Sequence, residues 1–517
     1  MPEQPPSRTR PSPQASIVPC RIPAAAGLPY AELHCRTNYS FLEGASHPDE
    51  LVETAASLGY QALAVTDRNS LAGVVRAHVA AKEHGLKLLI GAEITPVDGP
   101  VMVLLATSRH GYGCLSELIT TGRRRAPKGE CRLQLNDLRS GTDDLICCVP
   151  LSLETQLRYS QQFRPGVSCE LPTEQLQRVA RLFPNRCHAL AELHFGPRDA
   201  RRLDGWVRQC REARIPLVAA NDVHYHTSRR RPLHDVLTSI RLNSPLQNLG
   251  HQLFPNGERC LKSIAELRHV FRGHDQLLRR TVEIADQCQF SLDELKYEYP
   301  EELIPDGCSG IDYLKSLVRE GVKKRFPNGL PEKIAQLIRH ELQLIEELHY
   351  EAYFLTVYDL VRFARERDIL CQGRGSAANS VVCYCLGITS VDPARIDVLF
   401  ERFISRERNE APDIDVDFEH ERREEVLQYL FQRYGRDRAG MTATVITYRP
   451  RSAIRDIGRA IGLSNDRIEK LSTGMERIDH AEQLSDRLQE GGIDQTSRTG
   501  RQILDLMNAL LGFPRHL

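Results

Sequence analysis

The chain has 517 residues, with 68 Lys and Arg against 68 Asp and Glu, and is 41% hydrophobic and 26% charged. This balance argues against collagen-like, wholly disordered and membrane-spanning classes, and at roughly 150 residues per domain it predicts about three domains. A formal net charge of zero speaks against a uniformly cationic nucleic-acid binder and leaves open local patches of either sign.

Residues 1–29 hold eight of the 29 prolines, interspersed with Ser, Arg and Gln, and show no hydrophobic period. A flexible tail is expected there. From Tyr30 short apolar runs alternate with amphipathic stretches, the mark of β/α units. The first helix is well punctuated: Ser46 or His47 as cap, Pro48 in the first turn, Asp49 and Glu50 behind it, and Gly59 past its end. Strands are predicted at 62–65, 88–90, 101–105, 145–149, 189–193 and 216–220. Six such runs interleaved with helices predict a barrel or a doubly wound sheet. From about residue 290 the pattern changes. Long charged helices (331–348 and 422–434) surround a glycine-rich turn and an acidic segment. The fifteen cysteines are scattered and form no C-x-x-C pair, so a zinc ribbon is not expected. No apolar run approaches the ~18 residues of a membrane span, and no leader opens the chain. Reduced thiols in a cytoplasm are the expectation.

The strand runs share a feature that secondary structure alone does not demand. They lead into His34, into Asp67, into Glu93, into Asn221, Asp222 and His224, and into His194. Carboxyl ends of barrel strands form one face, so these side chains can converge, and imidazoles with carboxylates suit zinc, manganese or iron. Each residue taken alone is also a plausible helix cap. Five strand ends together point to a functional origin. The segments around His34-Cys35-Arg36, Val65-Thr66-Asp67, Gly91-Ala92-Glu93 and Asn221-Asp222-Val223-His224 resemble the motifs of the polymerase-and-histidinol-phosphatase (PHP) domain. That resemblance implies a distorted β/α barrel with a multinuclear metal site, some members being 3′–5′ exonucleases. Here Arg36 stands where the second His of H-x-H is expected, and Arg68 where a His follows the Asp. A guanidinium has no lone pair to offer a metal. The expectation is a mainly structural domain with at most a weakened Zn²⁺ or Mn²⁺ site of His34, Asp67, Glu93, Asp222 and His224.

Ile369 to Ser380 reads as strand, glycine turn and helix. Backbone amides at a helix start can cradle a phosphate, with Ser376 adding a hydroxyl and Arg374 a charge. Neither a Walker A spacing nor a dinucleotide fingerprint is present. Further on, Asp413, Asp415 and Asp417 alternate with Ile414, Val416 and Phe418. An extended strand puts the three carboxylates on one face, about 7 Å between successive ones. Divalent cations relieve such crowding and serve phosphoryl and nucleotidyl transfer, though a solvated acidic edge strand has the same pattern. The glycine-serine turn and the Asp-x-Asp strand, with Tyr353-Phe354-Leu355, Leu399 to Phe403 and Ala453 to Arg459, resemble the palm of C-family bacterial DNA polymerases. The resemblance implies that Gly375 and Ser376 touch a triphosphate, that Arg402 lies beside the site, and that Asp413 and Asp415 hold two Mg²⁺ ions with Asp417 in support. Cys35, Gly44 to Pro48, and Asn379 resemble the error-prone, damage-induced branch. That branch implies a sliding clamp and translesion accessory proteins as partners beside primer-template DNA and dNTP.

The expected fold is α/β: a tail at 1–29, a PHP-type barrel at 30–290, the first part of a polymerase beta-like nucleotidyltransferase palm at 291–444, and a thumb-like helical region at 445–517. Arg451, Arg455 and Arg459, at i, i+4 and i+8, form one basic stripe suited to DNA phosphates or to plain solvation. A third catalytic carboxylate, the fingers and a clamp-binding segment are expected beyond Leu517. Two rival readings are a PHP-type metallophosphoesterase or 3′–5′ exonuclease, and a non-catalytic fragment that binds DNA or partners.

Overall fold

The computed structural model describes residues 28–516 except 139–140, 153–154, 157–170, 296–299, 301–302, 393–412, 474, 476–487, 490–492 and 495. Residues 1–27 of the expected tail therefore lie outside the described residues, as do Arg402 and the 399–403 motif, whereas Leu28, placed in that tail by the sequence, is buried in the apolar core of the barrel unit. Two compact units emerge: Pro13–Leu295 together with Ala443–Leu517, and Lys296–Thr442.

The first unit is built on a seven-stranded sheet whose strands pair in sequence order. They are β1 (Ala31–Glu32), β2 (Ala62–Arg68), β3 (Lys87–Ile94), β4 (Met102–Ala106), β5 (Leu145–Pro150), β6 (Cys187–Glu192) and β7 (Leu217–Ala220). Only β4 runs against the others, since its pairings with β3 and β5 are antiparallel and the remaining ones parallel. The six parallel strands thus deliver their carboxyl ends to one rim. A bridge between Cys35 and Val223, with Arg36 N donating to Val223 O at 2.9 Å and Val223 N to His34 O at 2.8 Å, brings the first strand's end against the last. The sheet is a nearly closed barrel.

Side-chain alternation explains the layers, because successive strand residues face opposite sides. Ala62, Ala64, Val103, Leu105, Ile146, Cys148, Leu190 and Val218 form an inner core with Ile284, Ala285 and Cys288 from the helix Asp275–Gln287. Their partners Leu63, Val65, Leu104, Cys147, Val149 and Ala219 face outward into the layer of helices. The helix Pro48–Ser57 begins as its punctuation predicts: His47 is the cap, and Glu50 accepts from the His47 amide at 2.9 Å.

Residues after 443 build onto this unit. The helices Pro450–Ala460 and Arg498–Leu510 send Ile454, Ile457, Ile503 and Met507 into a core shared with Leu233, Val236 and Leu237 of the helix Arg231–Leu242. The same core holds Phe513 and Ala45, and the Phe513 ring meets that of His47 edge-on at 4.5 Å. The region set apart at 445–517 by sequence pattern thus buries the apolar faces of its helices in a core shared with the barrel chain.

The second unit has its own core of helices Gly310–Arg325, Glu332–Glu347, Glu351–Glu366 and Val381–Cys385. Gly321 is where two of them cross. A Cβ there would collide with the Cys385 carbonyl, so the close approach needs glycine. Against this core lies a two-stranded antiparallel ribbon, β8 (Cys371–Arg374) and β9 (Asp415–Phe418). Among the described residues, no helix is long and apolar enough to cross a membrane.

Candidate functional site

In the second unit the acidic strand alternates as its sequence predicts. Asp413, Asp415 and Asp417 are exposed, while Ile414, Val416 and Phe418 are half-buried and pack on the helical core. The Ile414 amide donates to the Tyr353 hydroxyl oxygen at 3.0 Å, which anchors the entry to the strand. Register then sets the chemistry: Arg374 stands opposite Asp415, and Gln372 opposite Asp417. Gly375 follows with φ of 62°, a backbone shape that favours glycine. A Cβ at Gly375 would lie 3.4 Å from Asp415 Oδ2. The glycine turn and the carboxylate strand are therefore direct neighbours. Arg374 Nε pairs with Asp417 Oδ2 at 2.9 Å, both residues being more than half exposed, so the pair contributes little stability.

The turn does not lead straight into a helix; residues 375–379 form a 3₁₀ turn and the helix starts only at Val381, capped by Ser380. Its first amides are already taken. The buried Glu341 carboxylate accepts from Val381 N and Val382 N at 2.9 Å each and from Ser380 Oγ at 2.8 Å. A side-chain anion thus fills the start of the helix at Val381, while Gly375 and Ser376, where a phosphate was expected, lie in the turn before it. Sequence reasoning missed Glu341 because it sits on a different helix, some forty residues upstream.

In the barrel unit four of the five expected residues gather at the rim. His34 holds the centre, Nε2 2.9 Å from Glu93 Oε2 and Nδ1 2.7 Å from Glu192 Oε1. Arg36 projects into the same space. It donates to Asp222 Oδ1 at 2.7 Å and also bonds Glu93 and His224. The His224 Nδ1 lies 3.1 Å from the Glu43 carbonyl, so it carries the proton and Nε2 accepts from Arg36. The fifth residue, Asp67, turns away. It accepts from Thr37 N and Oγ1 at 2.8 Å each and from Ser40 Oγ at 2.7 Å, and so ties down the loop after β1. His194 likewise stays outside the cluster, with Nε2 2.9 Å from the Asn221 carbonyl.

Two participants were not anticipated. Glu192, the last residue of β6, was passed over for His194 two positions later, although strand-end position was the right signal. Arg259, from a loop with no motif, salt-bridges Asp222 and stacks 4.5 Å over the Phe254 ring. Burial alone would raise the Glu93 carboxyl, but Arg36 and then His34 outweigh it and hold Glu93 down at about 2. Glu192 is also lowered, its burial outweighed mainly by the His34 bond. Burial lowers His34, yet the Glu192 and Glu93 carboxylates reverse this and raise it. Asp67 is raised, chiefly by burial.

Ligand atoms of His34, Glu192 and Asp222 lie within 4.8 Å of one another, a grouping of the kind that can hold a metal ion. As arranged, however, each is engaged. Both His34 nitrogens face carboxylates, which requires a proton on each and leaves no lone pair. The two Asp222 oxygens serve Arg36 and Arg259. Elsewhere in this unit, Arg451, Arg455 and Arg459 line the exposed side of helix Pro450–Ala460, whose other side is buried. Arg459 also lies 3.6 Å from Asp456.

Comparison with known proteins adds the following. Residues 32–184 match the family model of the PHP domain, and residues 312–517 that of the bacterial DNA polymerase III alpha NTPase domain. Curated relatives named error-prone DNA polymerase include one from Methylococcus capsulatus, 53% identical over 94% of this chain and 45% of its own length. Another is from Rhodopirellula baltica, 49% identical over 94% of this chain and 42% of its own. A third, from Dechloromonas aromatica, is 51% identical over 94% and 46%. The chain therefore spans less than half the length of these relatives.

Proposed function

We propose that the chain is a member of the bacterial DNA polymerase III alpha family and carries the PHP domain and the palm of an error-prone, translesion DNA-directed DNA polymerase. The observation that carries this reading is the pairing of Arg374 with Asp415, which sets the acidic strand against the glycine turn. Residues 30–290 serve as the PHP domain, 291–444 as the first part of the palm and 445–517 as the start of the thumb.

The donor set suits Mg²⁺: hard carboxylate oxygens, exposed, on a strand whose apolar side is anchored. Asp413 and Asp415 would hold two such ions, with Asp417 in support. When bound, the ions neutralise charge building up on a transferring phosphoryl group and aid the attacking primer 3′-hydroxyl. The chain's own residues bind and orient. Gly375, without a side chain, lets a dNTP triphosphate approach the backbone closely, and Ser376, Arg374 and Arg402 supply donors to its oxygens. Arg451, Arg455 and Arg459 meet the phosphates of primer-template DNA, a contact that positions without reading sequence. A sliding clamp and translesion accessory proteins are the partners, and the cytoplasm the place of action.

Primer extension tests the reading, with this 517-residue chain run beside one lengthened to match its relatives. The longer chain is expected to extend primers in Mg²⁺, and Asp413→Ala or Asp415→Ala to lower the rate on the order of 10³-fold or more. Extension that survives either substitution refutes the catalytic assignment.

A further inference from the structure

The PHP fold implies a metal at the barrel rim, yet the residues present there do not fit one. Glu93, Glu192 and Asp222 bring three carboxylates into a space with at most 1% exposure. Buried carboxylates in that number are untenable without positive charge beside them. Three cationic side chains meet them: Arg36 on Glu93 and Asp222, Arg259 on Asp222, and His34 between Glu93 and Glu192. Formal charges cancel three against three. Arg36 is the pivotal group, because it alone touches Glu93, Asp222 and His224 together. A planar guanidinium with five donors can do so from a single point, where a lysine could not.

We propose that Arg36 is a tethered counter-cation standing in the metal's place, so that this barrel folds and holds its shape without a divalent ion. In consequence the rim carries no metal-activated water and no phosphoesterase activity, and His34 and His224 act as hydrogen-bonding partners and not as ligands. The loop at 37–47, which the rim cluster holds through His224 and the Glu43 carbonyl, also presents His47 to Phe513. Arg36 thereby helps to seat the layer formed by residues after 443.

The test counts metal and follows heat stability. The 517-residue chain is stripped with chelator, exposed to Zn²⁺ or Mn²⁺, freed of loose ions by gel filtration and analysed by mass spectrometry of the elements. Thermal unfolding is followed by fluorescence of Trp206, which is buried in the barrel unit. The parent chain is expected to retain metal well below one equivalent and to melt at the same temperature with or without chelator. Arg36→His should retain about one equivalent, become chelator-sensitive, and lose the metal again when Glu192→Gln is added. Arg36→Met, neutral and similar in length, should melt about 10 °C lower because Glu93 and Asp222 each lose one of two cationic partners and the cluster is left with net negative charge, and be partly rescued by Zn²⁺. Stoichiometric metal in the parent, removed by Glu192→Gln and accompanied by a drop in melting temperature on chelation, overturns the proposal. So does an Arg36→His chain that folds without gaining metal, or an Arg36→Met chain as stable as its parent. Should neither variant fold, the parent's metal content and chelator response decide.

Discussion

Replacing Glu341 by alanine tests the view that a side-chain anion holds the start of the helix Val381–Cys385. The carboxylate is 1% exposed and accepts three hydrogen bonds at 2.8–2.9 Å. Its loss orphans the Val381 and Val382 amides, whereas Ser380 Oγ keeps a bond from Cys383 N at 3.0 Å. An orphaned buried donor costs about 1–3 kcal/mol. Two of them, partly relaxed, predict a loss of about 3–4 kcal/mol confined to residues 296–442. Glu341→Gln keeps the shape and one accepting oxygen, and should cost about half as much. Urea unfolding followed by far-UV circular dichroism reports both units, while the fluorescence of Trp206, the chain's single tryptophan, reports the barrel unit alone. The expected result is a dichroism curve shifted to lower urea with the Trp206 transition unmoved. A loss under about 1 kcal/mol, or a shift in the Trp206 transition with none in the remainder of the dichroism curve, would refute the reasoning.

Acid should loosen the barrel rim. The folded Glu93 value, about 2, lies below that of the unfolded chain, so its contribution is complete above about pH 4.5, drains as pH falls toward 2, and amounts to about 3 kcal/mol. His34 has the opposite sign: its folded value is raised, so its share is complete below about pH 6.5 and is lost as pH climbs through the raised value. Trp206-monitored unfolding across pH measures both, and Arg36→Met should flatten the acid limb. Gly375→Ala forces an L side chain into φ of 62° beside Asp415. It should cost about 1 kcal/mol in stability and slow primer extension by the longer chain more than it weakens DNA binding. Arg455→Ala is expected to weaken binding to duplexes of any sequence alike and to lower the salt slope of the binding constant by about 1; a sequence-dependent loss would contradict a phosphate contact.

Apolar runs located β2 to β7; β1 spans only two residues, too few to show a period. Apolar runs of three to five residues bounded by helix signals have few alternatives, and the Pro48 punctuation led to the helix start that is observed. The alternation of Asp413, Asp415 and Asp417 with apolar residues also carried over directly, because a strand's two faces follow from its spacing. Contacts at long range behaved otherwise. Glu341 and Arg259 lie on a helix and a loop without motif, and nothing local ties them to Val381 or Asp222. His194 and Glu192 sit two residues apart, and which of them enters the cluster depends on where β6 ends.

By itself, the sequence determined most of the barrel strands, the acidic face and the glycine turn, since these rest on local spacing and on motifs that one stretch of chain contains. Only the tertiary structure decided that Arg36 fills the barrel rim in company with Arg259 and Glu192, that Glu341 occupies the helix start, and that the last helices share a core with the barrel unit. Those outcomes depend on which buried charges find partners and which apolar faces find cover. Both are settled by the whole fold, because an unpaired buried charge or an uncovered apolar face costs more than any local preference can offset.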